Sequence, residues 1–235
     1  MMREFIAKLE GEGKLVRVKK SVPKKLVAAG IMKALDGKPV LFEKIEGSAF
    51  PVVGNLFASK ELVASYFGVR KDEILQMMIK AIEKPTEPKV VKNAPCQEVV
   101  EESVDLDKLP ILTHCPQDGG PYVSSGVVVA RDKEYGLNAS FHRLMQIGKN
   151  RFVMRILPRH LNDFIKRAGG ELDVAVCIGN PPNVLLAGAT SVDIGINELK
   201  IANSFEPLEI VKCKSVDVEV PAGSEFVLEG RITKE

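Results

Sequence analysis

The segment Glu83-Lys84-Pro85-Thr86-Glu87-Pro88-Lys89 limits the possible architectures more than any other stretch of this chain. Two prolines among alternating charges fit poorly into a helix interior or a central strand, so the segment reads as a linker. It separates two textures, and we place a domain boundary there: an N-terminal α/β domain over residues 1–90 and a β-rich domain over 91–235. Before it, helical spacing over Glu4–Leu9, Lys24–Leu35, Lys60–Phe67 and Lys71–Ile82 alternates with short apolar runs at Leu15–Val18, Val40–Phe42 and Val52-Val53. Gly68 marks the end of the third helix. After it, extended runs dominate: Val99-Val100, Ile111-Leu112, Val123–Ala130, Leu137–Met145, Phe152–Ile156, Val174–Ile178, Val184–Leu186, Ile210-Val211, Val216–Val220 and Phe226–Leu228. Two helical pieces, Leu161–Ala168 and Asn197–Phe205, interrupt them. Many short strands with Gly, Pro and Asp punctuation predict a closed or split barrel, hence an α+β protein.

At 235 residues and 45% hydrophobic content, the chain can bury real cores. Its 33 basic and 31 acidic residues are mixed along the sequence, so no basic stripe points to nucleic acid or a membrane surface. No apolar run is long enough for a transmembrane helix, and the charged N-terminus does not read as a signal peptide; the expected location is cytoplasmic. Cys96, Cys115, Cys177 and Cys213 lack CxxC pairing and read as reduced core residues.

Chemistry-bearing residues gather in three places. Asn138, Ser140 and His142 alternate with Ala139, Phe141 and Arg143, so a regular strand sends Asn138 and Arg143 to opposite faces. For both to serve one ligand the strand must bulge, or the ligand must wrap its end; the same polar run also suits a plain exposed face. Arg155, Arg159 and His160 follow an apolar strand at a helix start, where side chains and amides can face an anion. Glu198 opens a helix among apolar neighbours, a position the helix dipole alone would favour, and Gly188-Ala189-Thr190-Ser191 upstream is a small-residue loop. An amide, an imidazole and a carboxylate together suit a hard divalent cation beside an anion.

Several motifs in order resemble the UbiD family of decarboxylases. They are Leu109-Pro110-Ile111-Leu112, Asp118-Gly119-Gly120-Pro121-Tyr122, Asn138-x-Ser140-x-His142-Arg143, Pro158-Arg159-His160-Leu161, Glu198, and Val220-Pro221-Ala222 leading into Val227-Leu228-Glu229-Gly230. The resemblance implies a split β-barrel of the flavin reductase-like type after the N-terminal domain, and a further C-terminal domain for which residues 91–235 leave no room. It implies prenylated FMN as cofactor, with Mn2+ (or Mg2+) and K+ at its phosphate. By the same resemblance Asn138, His160 and Glu198 are the metal ligands. Ser140, Phe141, His142, Arg143, Arg159, His160, Ala189 and Glu198 line the cofactor, and Arg143 is the catalytic arginine.

The implied reaction is reversible, non-oxidative decarboxylation of an α,β-unsaturated or aromatic carboxylic acid. The arginine and histidine motifs look like those of archaeal members, which points to trans-anhydromevalonate 5-phosphate, with a polyprenyl-hydroxybenzoate as the other candidate. Family glutamates that protonate the product are expected after the Leu228-Glu229-Gly230 strand, so this chain alone is expected to be catalytically incomplete. Implied partners are a flavin prenyltransferase that supplies cofactor, and either like subunits or a polypeptide carrying the C-terminal half. The alternatives are a flavin-binding module or assembly partner without turnover, and an FMN-dependent reductase, for which no nicotinamide fingerprint is seen.

Overall fold

A computed structural model describes residues 2–234. The N-terminal unit runs α1 (Met2–Gly11), β1 (Val16–Val18), α2 (Val27–Ala34), β2 (Val40–Phe42), β3 (Val52–Gly54), α3 (Lys60–Phe67) and α4 (Ile74–Glu83). Its three strands form a sheet in the order β1-β2-β3, with β1 and β2 parallel and β2 and β3 antiparallel. Helix α3 begins and ends where its sequence says it should. Ser59 accepts a hydrogen bond from the Leu62 amide at 3.2 Å, and Gly68 takes φ +66° at the C-terminus, a conformation open to glycine without strain.

The second region contains β4 (Lys89–Val91), β5 (Tyr122–Val123), β6 (Val127–Asp132), β7 (Gly136–Phe141), β8 (Arg143–Gly148), β9 (Arg151–Arg155), α5 (His160–Arg167), β10 (Leu172–Ile178), α6 (Pro182–Gly188), α7 (Glu198–Phe205), β11 (Glu209–Lys212), β12 (Glu219–Pro221) and β13 (Phe226–Ile232). Three open sheets result, in the orders β13-β10-β6-β7, β12-β11-β4 and β5-β8-β9. The class is mixed α+β, as expected.

The sheet around β6 is buried on both faces, which explains why Val127–Ala130 is continuously apolar instead of alternating. Val127 and Val129 pack with Val184, Leu199 and Ile201 of α6 and α7, whereas Val128 and Ala130 pack with Leu144, Leu161 and Phe164. Each such valine contributes roughly 1.5 kcal/mol or more of burial.

Three local expectations change. Val184–Leu186 lies in α6, not a strand: Pro182 occupies its first turn, where a missing N–H is no loss. Val99-Val100 is exposed and outside any strand. The predicted Leu137–Met145 strand is broken at His142, so β7 and β8 belong to different sheets. The linker is also held in place. The Thr86 amide donates to Ser204 Oγ at 2.9 Å and Lys200 pairs with Glu87 at 2.5 Å, which fastens the segment to α7, while Lys89 already pairs in β4 beside β11.

Candidate active site

The last strand of its sheet, β7 leaves one edge without a partner strand. Edge amides need a substitute acceptor when buried. Glu198 provides it: Oε2 accepts from the Ala139 N–H at 2.8 Å, and Oε1 accepts from Asn138 Nδ2 at 2.8 Å. The carboxylate arrives there because Asn197 caps α7, accepting from the Leu199 amide at 2.8 Å, and because the first helical turn favours negative charge. Gly195, at φ +92°, turns the chain into that cap.

Glu198 is only 3% exposed, and this burial raises its pKa to about 7 despite the bonds from Ala139 and Asn138. Strand alternation carries the polar row onward from Asn138. Ser140 Oγ donates to Asn138 Oδ1 at 3.1 Å and lies 3.0 Å from His142 Nε2. Burial lowers the His142 pKa, and a bond to the Arg155 backbone opposes that shift.

At His142 the chain crosses from one sheet to the other. Beyond this crossing Arg143 no longer follows the pleat that orients Asn138. It is exposed and stands directly opposite Arg155 in the β8–β9 ladder. The two arginines, with Tyr122, Met145 and Val153, line an open cavity of about 120 Å³. A larger cavity of about 360 Å³, lined by Lys24, Lys25, Asp107, Thr113, Gln146 and Lys149, contains none of the expected site residues.

Phe141 is half-buried at the end of β7. A Cβ built on Gly188 would lie 3.6 Å from the Ala139 carbonyl oxygen and 3.6 Å from the Phe141 ring, so the end of α6, with Ala189 as its C-cap, lies against this strand. Arg159 is the exposed, extended N-cap of α5 and His160 its half-buried first residue. Among the described residues, no hydrogen bond ties either one to the Asn138–Glu198 network.

The structure therefore joins Asn138, Ser140, His142 and Glu198 by bonds, and sets Phe141 against Gly188 at the end of α6, whereas Ala189 is exposed. Arg143 lies just past the strand break. Sequence reasoning missed the Ala139 amide as partner of Glu198, and the facing of Arg143 by Arg155. The first is a backbone group with no sequence signature, and the second depends on ladder register.

Burial leaves the Glu198 carboxylate short of positive charge, but Asn138 turns its amide N–H toward it and its oxygen toward Ser140, so a cation shared by the two residues would require the amide to be turned round. Among the described residues, no group of three or more His, Cys, Asp or Glu side chains forms a metal cluster. Of the cysteines, Cys177 and Cys213 are buried and Cys96 half-buried, whereas Cys115 is exposed, contrary to the core reading. Glu229 is structural, accepting from the Lys214 amide at 2.8 Å and from Ser215 Oγ at 2.6 Å. No helix among the described residues is long and apolar enough to cross a membrane.

Comparison with known proteins agrees along the whole chain. Residues 89–235 match the 3-octaprenyl-4-hydroxybenzoate carboxy-lyase Rift-related domain, and residues 6–82 match the corresponding N-terminal domain. The anhydromevalonate phosphate decarboxylase of Methanothermobacter thermautotrophicus is 39% identical over 98% of this chain and 55% of its own length. The UbiD-class enzyme HmfF from Pelotomaculum thermopropionicum, solved in complex with FMN, superposes with a TM-score of 0.94 at 43% identity, covering 99% of this chain and 55% of that one. Vanillic acid decarboxylase from Sedimentibacter hydroxybenzoicus, in its closed form, gives 0.92 at 32% identity, covering 99% and 55%. The chain thus spans about half the length of the relatives it matches. With both family domains matched in order, the chain belongs to the UbiD family.

Proposed function

We propose that this chain is the cofactor-holding portion of a prenylated-FMN-dependent decarboxylase acting on an α,β-unsaturated or aromatic carboxylic acid. The observation that carries the reading is a buried carboxyl bonded to β7 and, at the start of β8, an arginine without an ion-pair partner among the described residues, on one extended run of chain. Support comes from the relatives named as anhydromevalonate phosphate decarboxylases, and from the UbiD-class structures solved with FMN and prFMN.

In this reading residues 1–90 form the N-terminal domain. Sheets β13-β10-β6-β7 and β5-β8-β9 of residues 91–235 are the two halves of a split barrel. Asn138 and Glu198, joined by His160 from the start of α5, hold Mn2+ or Mg2+ beside the cofactor phosphate and K+. Ser140, Phe141, His142, Arg159 and Ala189 line the flavin. When bound, the prenylated flavin would supply the conjugated sink that takes up the electron pair left on the substrate as carbon dioxide departs. Arg143 orients the substrate carboxylate through charge-assisted bonds. The protonating glutamates, and the C-terminal half or partner subunits that complete the enzyme, come from outside residues 1–235; a flavin prenyltransferase supplies the cofactor.

Coexpression with a flavin prenyltransferase, followed by an absorption spectrum and mass analysis of retained cofactor, tests this. Prenylated flavin is expected on the wild-type chain and lost in Glu198→Gln with the circular dichroism spectrum unchanged. Retention equal in wild type and variant removes Glu198 from the site, and no retention by wild type sinks the reading.

A further inference from the structure

The cavity of about 360 Å³ lies at the seam between the N-terminal unit and the second region, where Lys24, Lys25, Asp107, Gln146 and Lys149 line it. Its volume falls within the roughly 300–1,000 Å³ of small-molecule sites. Three ammonium groups there meet one carboxylate. Lys24 is held in place without being neutralised, because its Nζ donates to the carbonyls of Asp107 at 2.7 Å and Leu109 at 3.0 Å. Among the described residues no ion pair or side-chain hydrogen bond engages the Lys25 ammonium, and Lys149 approaches Asp105 only to 3.7 Å. The wall that carries the two consecutive lysines is fixed across the seam: the Thr113 amide donates to the Lys24 carbonyl at 3.2 Å, and the Leu26 amide to the Thr113 carbonyl at 2.9 Å. Leu26 itself takes φ +67° and ψ −34°, in a three-residue turn closed by the Val27 amide on the Lys25 carbonyl at 2.8 Å. A leucine in such a turn is strained, and strain of this kind persists where surrounding contacts over-determine the backbone, as they do at ligand sites.

We infer that this seam is a second binding site, distinct from the cavity beside Arg143, for a small molecule carrying a diphosphate. The ligand class follows from the donors. Among the described residues no guanidinium lines the cavity, so it lacks the planar fork that matches a single carboxylate; separate ammoniums act as point charges and suit an anion whose charge is spread over several oxygens. Lys25 comes from the N-terminal unit and Lys149 from the β8–β9 turn, so a ligand that neutralises both must span the seam with linked anionic groups. The two cavities are separate because Pro121 and Gln146 line this one, whereas their chain neighbours Tyr122 and Met145 line the other, and successive strand residues face opposite ways. The inference goes beyond the decarboxylase reading and does not depend on it.

Calorimetric titration of the 235-residue chain at low salt tests this with inorganic pyrophosphate, and with acetate at matched ionic strength as the monoanion. Because it needs no flavin, its outcome is independent of cofactor retention. Pyrophosphate is expected to saturate a single site and to bind at least about 10-fold more tightly than acetate. Lys25→Gln and Lys149→Gln should each weaken pyrophosphate about 10-fold, with the circular dichroism spectrum unchanged. Asp107→Asn, which removes the one opposing charge and keeps an oxygen for the Gln146 amide, should tighten binding about threefold. Arg143→Gln, in the other cavity, should leave the pyrophosphate affinity at its wild-type value. Absence of saturable binding, unchanged affinity in Lys25→Gln, weaker binding in Asp107→Asn, or a loss in Arg143→Gln equal to that in Lys25→Gln would each overturn the assignment.

Discussion

The two halves of the extended run from Gly136 to Gly148 differ in what satisfies them. In β7 every polar group of the row has a protein partner: Asn138 and the Ala139 amide bind Glu198, and Ser140 links Asn138 to His142. In β8, six residues or fewer away, Arg143 faces another arginine across open space. The first half is a preorganised network in a low-dielectric setting, and the second is charge left waiting for a ligand. Buried polar groups are stable only when fully partnered, whereas exposed cations can remain unpartnered because water solvates them. A site that must be rigid on one side and open on the other can therefore be built from one strand that changes sheets.

The largest effect that could break this contrast is expected at Asn138. Asn138→Leu leaves the Glu198 carboxylate with the Ala139 amide alone, and at pH about 8 this should lower unfolding stability by about 3 kcal/mol in urea titration. Near pH 5, where the carboxyl is protonated, about half of that loss should remain; an equal loss at both pH values would refute the charged-network account.

Glu198 itself makes a prediction about pH. Its carboxyl titrates near 7 in the folded chain and near 4.5 when unfolded, so the folded state keeps a proton that the unfolded state releases. Stability must then fall as pH rises from 4.5 to 7, by about 3 kcal/mol in total. The difference between wild type and Glu198→Gln across that range isolates the contribution, and a flat difference curve contradicts it.

A divalent cation should act in the opposite direction. With Mn2+ at about 100 times its dissociation constant, wild type should gain about 2.7 kcal/mol above pH 7. Glu198→Gln should gain far less, and equal stabilisation of both would place the ion elsewhere. The smallest effect belongs to the open half. Arg143→Gln should change stability by less than about 1 kcal/mol, and in the favourable direction, because it relieves a like-charge pair. A clear loss on thermal melting would mean that Arg143 is structural after all.

Much of this was legible locally. Ser59 and Gly68 delimit α3 because caps are local chemistry, and Asn197 before Glu198 announces the start of α7 in the same way. The family motifs named Asn138, Arg143, His160 and Glu198 together, though the bonds of the structure join only Asn138 and Glu198 of that set. Where periodicity was ambiguous the reading failed, as at Val184–Leu186, whose short apolar run suits a buried strand and a buried helix equally well. Cys115 shows another limit, since nothing local distinguishes a buried thiol from an exposed one.

By itself, the sequence determined the family, the alternation that sets Asn138, Ser140 and His142 on one face, and the helix start that holds Glu198. Only the tertiary structure decided that the strand changes sheets at His142, that Glu198 seals the free edge of β7, and that Arg143 meets Arg155. The reason is physical. Pleat and caps follow from neighbouring residues, whereas sheet exchange, edge closure and register are set by contacts between segments distant in the chain, which no local pattern encodes.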